Sequence, residues 1–153
     1  MAIVRRPIPC PIDEVFAALV DPETYPHWLV GARDIRAVDD DWPAPGSAFH
    51  HRVGLMGPLT VADLTKVIDI EKPHRLSLEV RARPLGRGRA TFTLDTTTGE
   101  NGSETVVEID EVPIGLLAPT RPLVDPLTVV RNRKSLAQLA DFLRTGRSHR
   151  GLE

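Results

Sequence analysis

The sequence predicts an α+β domain in which an antiparallel sheet of about seven strands curves around one long C-terminal helix, with two short helices after the first strand. Three observations predict it. Apolar and polar residues alternate with period two in successive runs between residues 32 and 112. The last long stretch instead repeats its apolar residues at helical spacing. The 14 prolines cluster at 7–11, 22–26, 43–45, 58, 73, 84, 113 and 119–126, so they punctuate the chain between elements.

Ala2–Ile8 is short, partly β-branched and ended by Pro7 and Pro9, and reads as the first strand. Pro11 suits the first position of a helix. Ile12, Val15, Phe16 and Leu19 then share one helical face, and Asp13 and Glu14 sit in the first turn, where the helix dipole favours acids. This helix is expected to run to about Val20. Asp21-Pro22-Glu23 repeats the start signal, and Pro26 cuts the second helix short near Trp28.

From Ala32 the signals turn to strand. Ala32–Asp39 offers Ile35 as an inward residue, and DDDWPAPG (39–46) is a turn. Phe49, His51 and Val53 share one face of the next strand, His50 and Arg52 the other. Met56-Gly57-Pro58 breaks the chain before a longer strand, Thr60–Ile70. After a turn at Glu71–His74, Leu76, Leu78, Val80 and Ala82 alternate with Ser77, Glu79, Arg81 and Arg83. Ala90, Phe92 and Leu94 alternate likewise, and Val107 and Ile109 share a face of the strand Thr105–Val112 beyond a loop at Gly99–Ser103. Hairpin connections of this kind imply antiparallel pairing.

Asp125-Pro126 gives the start signal a third time, and Gly146 gives a stop, so the final helix is expected over 126–144, roughly 28 Å of rise. Val129, Leu136, Ala140 and Leu143 centre its apolar face, flanked by Ala137 and Leu139, with Arg131, Lys134, Gln138 and Asp141 opposite. The domain is thus expected over 1–146, with 147–153 as a flexible tail.

Composition excludes several classes. The 153 residues suit one domain, and 41% hydrophobic with 26% charged residues is ordinary for a globular chain. A formal charge of −2 gives no pull toward nucleic acid or anionic membrane. No apolar run approaches the ~20 residues of a membrane helix, and no signal peptide is evident, which leads to the expectation of a cytoplasmic protein without integral membrane association. Cys10 is the only cysteine, so an internal disulfide is impossible and metal-ligand spacing is lacking. RARPLGRGR (81–89) alternates with apolar residues and reads as a solvated face; with 5% aromatics there is no stacking platform for a nucleic acid.

The order of elements resembles the START-like, or helix-grip, superfamily, also called SRPBCC. VFAALVDPETYPHWL (15–29) is similar to that superfamily's two N-terminal helices, VIDIEKPHRLSLEV (67–80) to its strand–turn–strand, and RNRKSLAQLADFL (131–143) to its final helix. The branch most similar is the bacterial polyketide cyclase/dehydrase-like group. The resemblance implies a cavity for a hydrophobic or aromatic small molecule, lipid- or polyketide-like, with no cofactor. It covers lipid carriers, hormone receptors and polyketide cyclases, and fold alone does not choose among them.

The candidate ligand-binding residues are the inward strand positions Phe49, His51, Leu78, Val80, Phe92 and Ile109, the helix positions Val129, Asn132, Arg133 and Leu136, and Trp28. All of the apolar ones also suit plain core packing. Asn132 and Arg133 border the helical stripe, and an arginine fork there would hold a carboxylate or simply snorkel. Trp28 would cap a pocket mouth or wedge helix against sheet. His51, Asp63 and Glu111 are the catalytic candidates: His51 for the near-neutral pKa of an ordinary imidazole, the acids as desolvated bases or as arginine partners. His50 points away from His51, so the pair cannot share a metal. Three readings follow: a binder of a hydrophobic small molecule, a cyclase or dehydratase using the same cavity, and an interaction module docking through IGLLAPTRP (114–122). A monomer and a homodimer both remain open.

Overall fold

The computed structural model describes residues 2–29, 32–56, 59–82, 86–97, 104–115, 119 and 121–150; the side chains at 2, 32–34, 36, 51–56, 59–63, 82, 86, 121–125 and 146–150 are not part of that description. The elements are β1 (Ala2–Ile8), α1 (Ile12–Val20), a 3₁₀ turn (Pro22–Thr24), α2 (Tyr25–Trp28), β2 (Ala32–Val38), β3 (Ala48–Met56), β4 (Leu59–Glu71), β5 (Arg75–Ala82), β6 (Gly86–Thr97), β7 (Glu104–Ile114) and α3 (Arg121–Arg150). The strands form one seven-stranded sheet in the order β1-β7-β6-β5-β4-β3-β2. Every neighbouring pair is antiparallel. The α+β, helix-grip expectation therefore holds. Bulges interrupt the register of β2 with β3, of β3 with β4 near Gly54 and of β4 with β5 beside Val67. Such bulges bend a strand and let a sheet curve.

The corner between α1 and α2 follows from local chemistry. The Asp21 carboxylate accepts the Glu23 N–H at 3.1 Å, and Pro22 supplies a preset φ. Thr24 Oγ1 donates to the Ala18 carbonyl at 2.7 Å and accepts from Trp28 Nε1 at 3.1 Å, tying both helices to the turn. The Tyr25 hydroxyl donates to the Leu19 carbonyl from a fully buried position. Burial, and then the nearby Asp21 charge, push its pKa well above the ordinary value.

Two differences concern α3. It begins at Arg121 and contains Pro126, instead of starting there. Pro126 is the sixth residue of α3, beyond the first four N–H groups that lack an intrahelical partner, so the helix continues through it at the cost of one backbone bond and of crowding at the carbonyl four residues before it. It also continues past Gly146 to Arg150. Glycine costs a helix interior about 1 kcal/mol but ends it only when its φ turns left-handed.

The apolar face of α3 is Leu136, Leu139 and Leu143, each 8% exposed or less. It is centred on Asn132, Leu136, Leu139 and Leu143, a rotation of about 40° from the expected face at 100° per residue. Arg133 is exposed as a result, and its expected place on the ligand-facing side is corrected: the polar residues of α3 that turn inward are Asn132 and Ser135. Burying each leucine contributes roughly 1.5–3 kcal/mol.

Candidate functional site

The register across the sheet builds the face that α3 covers. One row runs Ile70–Leu76–Phe92–Ile109–Val4 across β4, β5, β6, β7 and β1. Leu76, Phe92, Ile109 and Val4 are all buried. Trp28 stands edge-on to Phe92 at 6.2 Å and to Tyr25 at 5.1 Å, and His27 stacks on Phe142 of α3 at 5.4 Å. This end of the interface is filled by side chains. Trp28 is 1% exposed, so it is the wedge between helix and sheet and not a lid at a mouth.

The next row is Val67–Leu78–Ala90–Glu111, and the one after it Thr65–Val80–Gly88–Pro113. Side-chain size falls along this direction from Phe92 to Ala90 to Gly88. Exposure rises with it, since Val80, Gly88, Pro113 and Ile114 are all half-buried, as is Val129 on α3. Among the described residues, a Cβ added at Gly88 would meet only the Val112 carbonyl oxygen, at 3.5 Å, an ordinary contact. Phe49 and Thr65, paired across β3 and β4, end this row in buried positions, and Phe49 stands edge-on to Tyr25 at 5.2 Å and to Trp42 at 4.9 Å. The helix and sheet thus close tightly at one end and leave small residues at the other.

A polar cluster sits where the two ends meet. Asn132 of α3 is 2% exposed, and its Nδ2 donates to Glu111 Oε2 of β7 at 2.9 Å. Arg131 Nη2 donates to the same oxygen. The Glu111 side chain is 17% exposed, against 43% for Arg131. The carboxylate is thereby shared between a buried amide and a solvent-side cation. The arginine partner comes from the helix, not from the Arg81–Arg89 stretch, whose Arg87 pairs with Glu79 at 3.1 Å.

Of the expected ligand residues, Val80, Ala-flanked Leu78, Val129 and Asn132 border the open end. Phe92, Ile109, Leu136 and Trp28 are packed into the closed one. The side chains of His51 and Asp63 lie outside the described residues; their backbones are direct partners in the β3–β4 register, two positions from Phe49–Thr65. The loop IGLLAPTRP also lies largely outside the described residues. Sequence reasoning named Glu111 and Asn132 separately and missed their union. The signal was present: Glu111 continues the inward series Val107, Ile109, and Asn132 lies on the helical stripe facing it. Among the described residues no group of three or more His, Cys, Asp or Glu could hold a metal ion, and no helix is long and apolar enough to cross a membrane.

A family model described as polyketide cyclase / dehydrase and lipid transport matches residues 2–144. The chain belongs to this family. Solved structures share its fold. Protein NE0264 from Nitrosomonas europaea is 19% identical, with 95% of each chain covered and a TM-score of 0.71. CalU16 from Micromonospora echinospora is 20% identical over 96% of this chain and 78% of that one, TM-score 0.61. DynU16, from the dynemicin biosynthetic locus, is 22% identical over 95% of this chain and 47% of that one, TM-score 0.64. No curated protein matches. Family membership supports a hydrophobic ligand-binding or polyketide-related role.

Proposed function

We propose that this family member binds a hydrophobic or aromatic small molecule, lipid- or polyketide-like, at the open end between the sheet and α3. One observation carries the reading: on the face that α3 covers, side-chain size falls from Phe92 to Ala90 to Gly88, and the Glu111–Asn132 pair lies on that same face. Apolar walls with a few fixed polar groups are what a small-molecule site needs. Val80, Leu78 and Val129 would contact the ligand's apolar body. Asn132, oriented by Glu111, would bond one oxygen on it. Native mass spectrometry of the recombinant protein, followed by thermal shift against panels of fatty acids and polycyclic aromatics, tests this. A ligand that binds the folded state must raise the melting temperature by mass action. If no compound co-purifies and none raises it, the binding reading fails.

A second reading is a cyclase or dehydratase working in the same space. It is favoured by the half-buried Glu111 carboxylate. Holding a flexible chain in a reactive fold supplies much of such catalysis, and an acid–base group supplies the rest. CalU16 and DynU16, whose names link them to biosynthetic clusters only in the second case, are too distant to decide it. Turnover of a poly-β-ketone analogue that is lost in Glu111→Gln and kept in His50→Ala would favour the enzyme.

A further inference from the structure

The opposite face of the sheet carries a second concavity. Ile68, Asp69, Arg75, Ser77, Arg89, Thr91, Asp110 and Val112 line a groove of about 330 Å³. Its floor is a single register row: Asp69 pairs with Ser77, Ser77 with Thr91, and Thr91 with Asp110. These residues alternate with Leu76, Leu78, Phe92 and Ile109, so the groove lies on the other side from α3.

Two features of this row are unusual for an outer face. Ser77 is 8% exposed, and its hydroxyl lies 3.2 Å from that of Thr91. Beside them, Asp110 Oδ1 is buried and has no hydrogen-bond partner among the described residues. A buried carboxylate oxygen without a donor costs free energy in the ligand-free protein, which is why such atoms concentrate at functional sites. The cations of the groove differ in what they are doing. Arg75 is held by Asp69 at 2.5 Å and by Glu71 at 3.3 Å. Arg89 makes no ion pair among the described residues, although its position is the diagonal neighbour of Asp110 across the β6–β7 pair.

We propose that this groove is a second binding site, for a small zwitterion bearing a primary ammonium, a carboxylate and a short apolar group. An ammonium has three donors, and Asp110 Oδ1, Thr91 Oγ1 and Ser77 Oγ are three acceptors in a row. Arg89 holds the carboxylate with its planar fork. Ile68 and Val112 take the apolar group. The site is independent of the one between the sheet and α3.

The test is an ¹⁵N-resolved NMR titration of the full chain with L-leucine, with N-trimethyl-leucine and leucinamide as controls. Leucine is expected to shift the amides of Ser77, Thr91 and Asp110 saturably, and the trimethylated compound, having no donors, is not. Asp110→Asn is expected to weaken leucine binding at least tenfold. Arg89→Gln is expected to weaken it several-fold and to abolish the preference for leucine over leucinamide. The ligand-free Asp110→Asn protein is expected to melt no lower than wild type, because it loses an uncompensated charge. The proposal is overturned if leucine up to ~10 mM, enough to fill a site of millimolar Kd, leaves those amides unmoved. It is overturned equally if trimethyl-leucine binds as well, or if ligand-free Asp110→Asn melts lower, since the carboxylate would then already be satisfied within the fold.

Discussion

Asn132 of α3 and Glu111 of β7 are joined by a hydrogen bond of 2.9 Å across the helix–sheet interface, with the asparagine 2% exposed. Helix and sheet are thereby pinned at one height, with tight packing on one side of the pin and small residues on the other. Removing one partner leaves the other partly desolvated. Asn132→Ala is therefore expected to lose about 1–3 kcal/mol of unfolding free energy. Asn132→Leu with Glu111→Leu is expected to lose much less than the sum of the single changes, because both polar groups go together. Urea denaturation of the four proteins in this cycle measures it. Additive losses would show that the bond does not couple the two elements.

The closed end predicts a larger effect. Leu136 is fully buried among the strand side chains, so Leu136→Ala removes three carbons from a packed site and leaves a cavity. A loss of about 2–5 kcal/mol is expected by chemical denaturation. By contrast Val130→Ala, at a position 66% exposed on the same helix, is expected to change stability by less than about 0.5 kcal/mol.

Much of this architecture could be read from the residues. The period-two alternation of Leu76–Leu78 and Ala90–Leu94 gave the buried face of β5 and β6 directly, and the Asp21-Pro22 signal gave the break between the short helices. What resisted was anything fixed by three-dimensional register. Asp125-Pro126 carries a complete helix-start signal, yet α3 begins at Arg121 and runs through Pro126. The 40° rotation of the buried stripe, which moved Arg133 out and Asn132 in, depends on where Glu111 sits across the gap. Helical spacing alone leaves that rotation free. The groove beneath Asp110 is likewise a property of four strands in register, and no single strand encodes it.

Tyr25 makes the protein sensitive to alkali. Its hydroxyl is buried and donates to the Leu19 carbonyl, and burial raises its pKa above the ordinary value of 10.0. The unfolded chain releases this proton near pH ~10, while the folded chain keeps it. The contribution to stability is therefore fully present below the unfolded value and is lost as pH rises beyond it. Wild type is expected to lose stability more steeply above pH ~10 than Tyr25→Phe, which has no proton to release. Denaturation at a series of alkaline pH values compares the slopes, and parallel curves would mean that the tyrosine is not the responsible group. At neutral pH the same substitution is expected to cost about 1 kcal/mol for the lost hydrogen bond, with the Leu19 carbonyl left bare.

The open end gives the most direct test of ligand capture. Gly88 stands in the row Thr65–Val80–Gly88–Pro113, and among the described residues an added Cβ meets nothing closer than the Val112 oxygen at 3.5 Å. Its φ is not left-handed, so a side chain brings no backbone strain. Gly88→Ala is expected to fold normally and to be neutral or slightly stabilising, because glycine costs a strand some conformational entropy. Gly88→Leu is expected to place a large side chain beside its register partner Val80, to leave the melting temperature of the ligand-free protein within a few degrees of wild type and to weaken any hydrophobic ligand at least tenfold. Isothermal calorimetry with the tightest compound found by thermal shift reads the second effect, and circular dichroism melts read the first. A Gly88→Leu protein that stays folded and binds as tightly as wild type would place the ligand elsewhere. One that unfolds would show the end near Gly88 already filled, in which case the space between the sheet and α3 is a core and not a receptacle.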